Sequence, residues 1–117
     1  MKTRKAARYL WEIIVPVSTN GRKVPVAHHR LWDEHVREVS NGLTILGAAK
    51  GHWVSPSGEL HIEEVIPVRF ICTSAEMKKI AKITGTHYMQ EAVMFYRLSS
   101  KVTIMHFPQN KGFAKSS

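Results

Sequence analysis

LTILGAAKGHWVSPSGELHIEEVIPVRFIC, residues 43–72, is the stretch on which the fold turns. Two β-rich runs, Leu43 to Val54 and Glu59 to Cys72, flank the turn-forming tetrad Ser55-Pro56-Ser57-Gly58, so the stretch predicts a long antiparallel hairpin. Upstream, Leu31, Trp32, His35, Val36 and Val39 recur at helical spacing within Val26 to Val39, and Asn41-Gly42 supplies the stop. Before that helix, the apolar, β-branched run Leu10 to Val17 reads as a strand leaving into Asn20-Gly21. Downstream, Thr73 with Glu76 forms a capping box, Met77, Ile80, Ala81 and Thr84 share a face, and Gly85 stands where the helix should end. Ala92 to Leu98 and Lys101 to His106 read as strand, with Ser99-Ser100 either bending one strand or making a tight turn. The order β-α-β-β-α-β predicts an α+β, ferredoxin-like sandwich, an antiparallel sheet with two helices on one face.

The chain has 117 residues, enough for one domain, and its 44% hydrophobic and 22% charged content excludes disordered, collagen-like and coiled-coil classes. The formal net charge of +8 invites a nucleic-acid or anionic-membrane reading. Its distribution argues against one. Residues 1–8 form a basic tail, residues 108–117 a second, and together they hold six lysines and arginines; the predicted domain, 9–107, carries 11 basic and 9 acidic residues. The one cysteine, Cys72, excludes an intramolecular disulfide and fits a reducing compartment. No apolar run approaches the roughly 18 residues of a membrane span, and the basic N-terminus leads into Trp11-Glu12 and not into a signal-peptide core. The expectation is a cytoplasmic protein that binds no membrane, with nucleic acid a less favoured partner than a small molecule.

Leu10 to Val17 is apolar on both parities except at Glu12, and Leu43 to Ala49 nearly so, which suits strands covered on both sides. Two helices cover one face of such a sheet, so a second copy of the chain is expected on the other. Within Leu60, Ile62, Glu64, Ile66, Val68, Phe70 and Cys72, one face of the third strand, Glu64 alone is charged. A carboxylate there needs a partner, a proton, water or a ligand. A four-residue turn would set Val54 opposite Glu59, Trp53 opposite Leu60, Gly51 opposite Ile62 and Ala49 opposite Glu64. Small residues would then leave a gap above the acid, with Trp53 as an aromatic wall. The bland reading pairs Glu64 with Arg69, Arg97 or a helix lysine, or turns it to solvent at a bulge.

The same register sets His52 across from His61, with Glu63 next on that face, a weak candidate for a metal site. Seven histidines in 117 residues make chance pairs common, so no metal or other cofactor is assigned. Cys72 reads as a packed thiol, and no phosphate loop, nucleophile elbow or dinucleotide fingerprint is present.

Gly51-His52-Trp53, Glu63-Glu64, Val68-Arg69, Cys72, the second helix and Gln90-Glu91-Ala92-Val93 resemble, in order and spacing over residues 40–107, the phage-encoded S-adenosylmethionine lyases. The resemblance implies a PII-like fold, a homo-oligomer with a trimer favoured, and a site between subunits for the substrate S-adenosylmethionine. It makes Glu64 the catalytic acid and Trp53 the site aromatic, in place of that family's tyrosine; Ala49, Gly51 and Glu63 would line the substrate site. In that chemistry the substrate carboxylate attacks its own γ-carbon and expels methylthioadenosine, leaving homoserine lactone, so the protein need only fold the substrate and exclude water. Two other classes remain open at this stage. One is a non-catalytic PII-like oligomer holding a nucleotide-like molecule, and the other is a nucleic-acid module using the basic tails.

Overall fold

A computed structural model of the chain describes residues 6–109. In chain order the elements are β1 (Arg8–Pro16), β2 (Ser18–Thr19), β3 (Arg22–Lys23), α1 (Val26–Ser40), β4 (Thr44–Ile45), β5 (Ala49–Val54), β6 (Leu60–Thr73), α2 (Ser74–His87) and β7 (Phe95–Ser99). β1 and β6 pair antiparallel over nine residues, from Arg8 opposite Thr73 to Pro16 opposite Val65. Around them the sheet runs β4-β6-β1-β7, with β5 continuing along the β4 edge of β6. This is the ferredoxin-like α+β architecture expected from the sequence.

Strand alternation sorts the side chains between the two faces. Trp11, Ile13 and Val15 of β1 and Val68, Phe70 and Cys72 of β6 point to the helical side, where Trp32 and Val36 of α1 and Met77 and Ile80 of α2 complete the core. Both indole N–H groups buried there find acceptors. Trp11 Nε1 donates to the Cys72 carbonyl at 3.0 Å, and Trp32 Nε1 donates to Thr84 Oγ1 at 2.9 Å. The other face carries Leu10, Ile14, Val65, Pro67 and Ile71, only half-buried because no helix covers them.

Several local expectations are revised. Asn20 and Gly21, both at positive φ, close a small β2–β3 hairpin, as the right-handed twist of paired strands favours. The run from Leu43 to Val54 breaks into β4 and β5; Leu46 N–H still reaches the Pro67 carbonyl at 2.9 Å, but Pro67 has no N–H to return. α2 passes through Gly85 and ends at His87. Gly85 serves packing instead of termination: a Cβ there would lie 3.4 Å from Val93 Cγ2 on the returning chain. Lys101 to His106 forms no strand among the described residues, because Ser99 bonds Lys101 through both its hydroxyl donor and its acceptor and turns the chain out of the ladder. Most of both predicted tails, residues 1–5 and 110–117, lies outside the described residues. Among the described residues no helix is long and apolar enough to cross a membrane.

The capping box at the start of α2 is present in both halves: Glu76 N–H donates to Thr73 Oγ1 at 3.1 Å, and Thr73 N–H donates to Glu76 Oε1 at 2.9 Å. Thr73→Ala removes the first bond and is expected to cost about 1 kcal/mol of stability, read as a lower urea midpoint with unchanged slope.

Candidate functional site

The turn at the tip of the β5–β6 hairpin determines what the site contains. Gly58 N–H donates to the Ser55 carbonyl at 2.9 Å, and Gly58 sits at φ +89. Pairing resumes at once, with Ser55 N–H donating to the Glu59 carbonyl at 2.9 Å. The loop is therefore Pro56-Ser57-Gly58, a three-residue connection whose glycine takes the left-handed position. With three loop residues instead of four, every pairing slips by one. Val54 lies opposite Leu60, Trp53 opposite His61, His52 opposite Ile62, Gly51 opposite Glu63, Lys50 opposite Glu64 and Ala49 opposite Val65.

That slip reverses the expected partners. Glu64 is exposed, keeps the helical-side parity and lies across from Lys50, not Ala49; the inward acid beneath a gap is not formed. Ala49, Gly51, Trp53 and Glu63 instead share the helix-free face, where they line an open groove of about 790 Å³. β1 contributes Glu12, Ile14 and Pro16, β6 contributes Val65 and Pro67, and the far wall is the irregular segment from Gln90 to Met94 that leads into β7. Trp53 is half-exposed there, its ring stacked on His61 at 4.2 Å between centroids, and its Nε1 donates to Glu63 Oε1 at 3.2 Å. Nothing would obstruct a Cβ at Gly51, so this glycine leaves that part of the groove open.

The slip also separates the metal candidates. His52 and His61 now point to opposite faces, and among the described residues no three His, Cys, Asp or Glu groups converge as ligands would. Cys72 is fully buried, and burial pushes its thiol up to about 11, so it packs as an inert side chain.

Sequence reasoning missed the charged centre of the open face. Glu12 is only 6% exposed, accepts from Arg69 Nε at 2.9 Å on Oε1, and accepts from the Tyr96 hydroxyl on Oε2. Burial pushes the Glu12 carboxyl up, but the hydrogen bonds from Tyr96 and Arg69 and the nearby guanidinium outweigh it, leaving the group below its ordinary value. The same hydrogen bond to Glu12, with burial, holds the Tyr96 hydroxyl above its usual range. The signal was visible in the sequence: Glu12 was the one polar residue in an apolar strand, and Arg69 lies opposite it once β1 and β6 pair.

Neither a family model nor a curated protein sequence matches the chain. Solved structures do share its fold. The periplasmic divalent cation tolerance protein CutA from Archaeoglobus fulgidus is 9% identical, with a TM-score of 0.58 over 91% of this chain and 90% of that one. CutA1 from Oryza sativa is 6% identical, TM-score 0.64, over 85% and 84%. A Bacillus cereus protein related to NIF3 is 17% identical, TM-score 0.59, over 82% of this chain and 27% of that one. At these identities the likeness carries the fold and no activity. It nonetheless overturns the resemblance to phage S-adenosylmethionine lyases: the near full-length structural likeness is to CutA-type proteins. The lyase chemistry, its substrate and the catalytic role of Glu64 are accordingly withdrawn, and the exposed position of that carboxylate agrees.

The Glu12 centre makes a testable statement about acid stability. Because its carboxyl titrates lower in the fold than in the unfolded chain, its contribution is complete above the ordinary value of 4.5 and is lost as pH falls through the folded value. Tyr96→Phe removes one charge-assisted hydrogen bond, and since Tyr96 is partly exposed the expected loss at pH 7 is about 1–2 kcal/mol. Urea unfolding of both proteins at pH 7 and pH 3 checks it, the gap between them narrowing at the lower pH.

Proposed function

We propose that the chain is a non-catalytic, self-associating domain of the PII-like type. In this reading further copies cover its open sheet face, and the groove beside Trp53 takes a nucleotide-like small molecule. Residues 9–107 act as the folded unit, and a trimer is the favoured assembly. The observation that carries the reading is the groove itself, about 790 Å³ on an apolar sheet face that the chain's own helices leave bare. Trp53, Val54, Leu60 and Ile62 on the β5–β6 hairpin and Ile104, Met105 and Phe107 beyond β7 are also exposed, apolar side chains that further copies could cover. A planar base would extend the Trp53–His61 stack.

The solved structures of similar fold include proteins named for divalent cation tolerance. The groove supports a different ligand class: its lining is mostly an indole and apolar side chains, and its two carboxylates are already engaged, Glu12 by Arg69 and Tyr96 and Glu63 by Trp53. The buried, unreactive thiol of Cys72 is consistent with a cytoplasmic setting but does not require one.

Light scattering after size exclusion at micromolar concentration is expected to give a multiple of 13.3 kDa, and Ile14→Glu on the open face is expected to return it to that value. A wild-type chain that is strictly monomeric would sink the assembly. Thermal-shift measurements with ATP, ADP and AMP test the groove: a raised midpoint for at least one of them, lost in Trp53→Ala, is the expected outcome.

A further inference from the structure

The start of α1 and the end of α2 meet in a cluster of imidazoles that the groove does not use. The rings of His28 and His87 stack at 3.8 Å, 17° from parallel. Each reaches the other's backbone, His28 Nε2 to the His87 carbonyl at 2.9 Å and His87 Nε2 to the His28 carbonyl at 2.6 Å. Since a carbonyl only accepts, both Nε2 atoms carry hydrogen, and the pair is complete without a net charge. Beside it, His29 Nδ1 lies 2.7 Å from the hydroxyl of buried Tyr88. Burial, reinforced by Asp33, pushes the Tyr88 hydroxyl far up, so it stays protonated and can donate to the Nδ1 of a neutral His29.

A second proton on either stacked ring leaves its Nε2 hydrogen bond intact, so what opposes protonation is the crowding of imidazoles and not the loss of those bonds. Adding a proton to His29 makes Nδ1 a donor, so the Tyr88 hydroxyl must rotate to accept and give up its own donation there. Protonating both members of the stack sets two cations 3.8 Å apart. His29 also occupies the first turn of α1, where the helix dipole opposes positive charge and where no acidic residue compensates.

The surroundings add little negative charge. From α1 the cluster faces Asp33, already paired with Arg37, and His35, whose ring is 6.5 Å from that of His87. From the β2–β3 hairpin it faces Arg22 and Lys23, which share a cavity with His28, and Lys23 with Glu64 borders His29.

We propose that the α1–α2 junction is an acid-released clamp: the stack of His87 on His28, with His29 held against Tyr88, fastens the two helix ends together, and proton uptake by His29 and His87 parts them. Tyr88 leads directly into Met89, at φ +54, and then into the Gln90–Met94 segment that forms the far wall of the groove, so release moves that wall. Only this last consequence rests on the groove being a ligand site.

Burial, with the neighbouring imidazoles, holds His29 below its ordinary value, and burial does the same for His87 against the opposing effect of its backbone hydrogen bond. Groups so shifted contribute fully above the unfolded value near 6.5 and lose that contribution as pH falls below it. Two measurements test the clamp without ligand. In a proton NMR titration of the intact protein, at least two of the seven imidazoles are expected to titrate below the rest; all seven titrating together near 6.5 would overturn the proposal. In urea unfolding at pH 7.5 and 5.5, the unfolding constant of wild type is expected to rise by about threefold or more beyond any rise in the double variant His29→Gln/His87→Gln. An equal rise in both would also overturn it. If the double variant does not fold, the titration alone decides. A clamp that titrates as expected in a protein showing no nucleotide shift would leave the clamp standing and remove only the ligand reading.

Discussion

The nine-residue pairing of β1 with β6 is the frame to which everything else in this molecule attaches. Its parity assigns Trp11, Ile13, Val15, Val68, Phe70 and Cys72 to the helices, and these residues with Trp32, Val36, Met77 and Ile80 form one continuous core. The same parity sends Glu12 and Arg69 to the opposite face as direct neighbours. A charge so little exposed to water persists there because two donors engage both of its oxygens. Core and open face therefore follow from one ladder. A shift of that ladder by one residue would exchange them.

Much of the frame could be read from residue order. The two helices, the stop of α1 at Asn41 and the Thr73–Glu76 capping box rest on local chemistry, and the structure bears them out closely. The site was less legible because it depends on a count modulo two. Ser55-Pro56-Ser57-Gly58 reads as a four-residue turn, yet Gly58 at positive φ allows Ser55 and Glu59 to pair directly, and the odd loop transfers Ala49, Gly51 and Trp53 to the other side of the sheet. Glu64 illustrates the cost: its apolar neighbours along the strand suggested burial, but the carboxylate lies exposed across from Lys50. Glu63, which the sequence places in a weak metal cluster or lining a substrate site, is the residue that holds the Trp53 indole.

The ends of α2 differ in what they demand of the sequence. Its first turn is fixed by the reciprocal capping of Thr73 and Glu76, a pattern visible in four consecutive residues. Its last turn is fixed by tertiary partners 59 residues away, His28 and His29. No local rule links those positions, which explains why the histidines seemed unremarkable in the chain. Gly85 belongs to the same junction: its missing side chain lets Val93 approach, so the return toward β7 passes close beneath the helix end.

Cys72 offers a use of a different kind. As the only sulfhydryl in the sequence, with no accessible surface and a thiol held largely protonated, it resists alkylation while the layers stay closed. The speed at which a maleimide consumes it is therefore a one-site clock for how often the β6–α2 layer breathes, readable by mass spectrometry with no engineered cysteine.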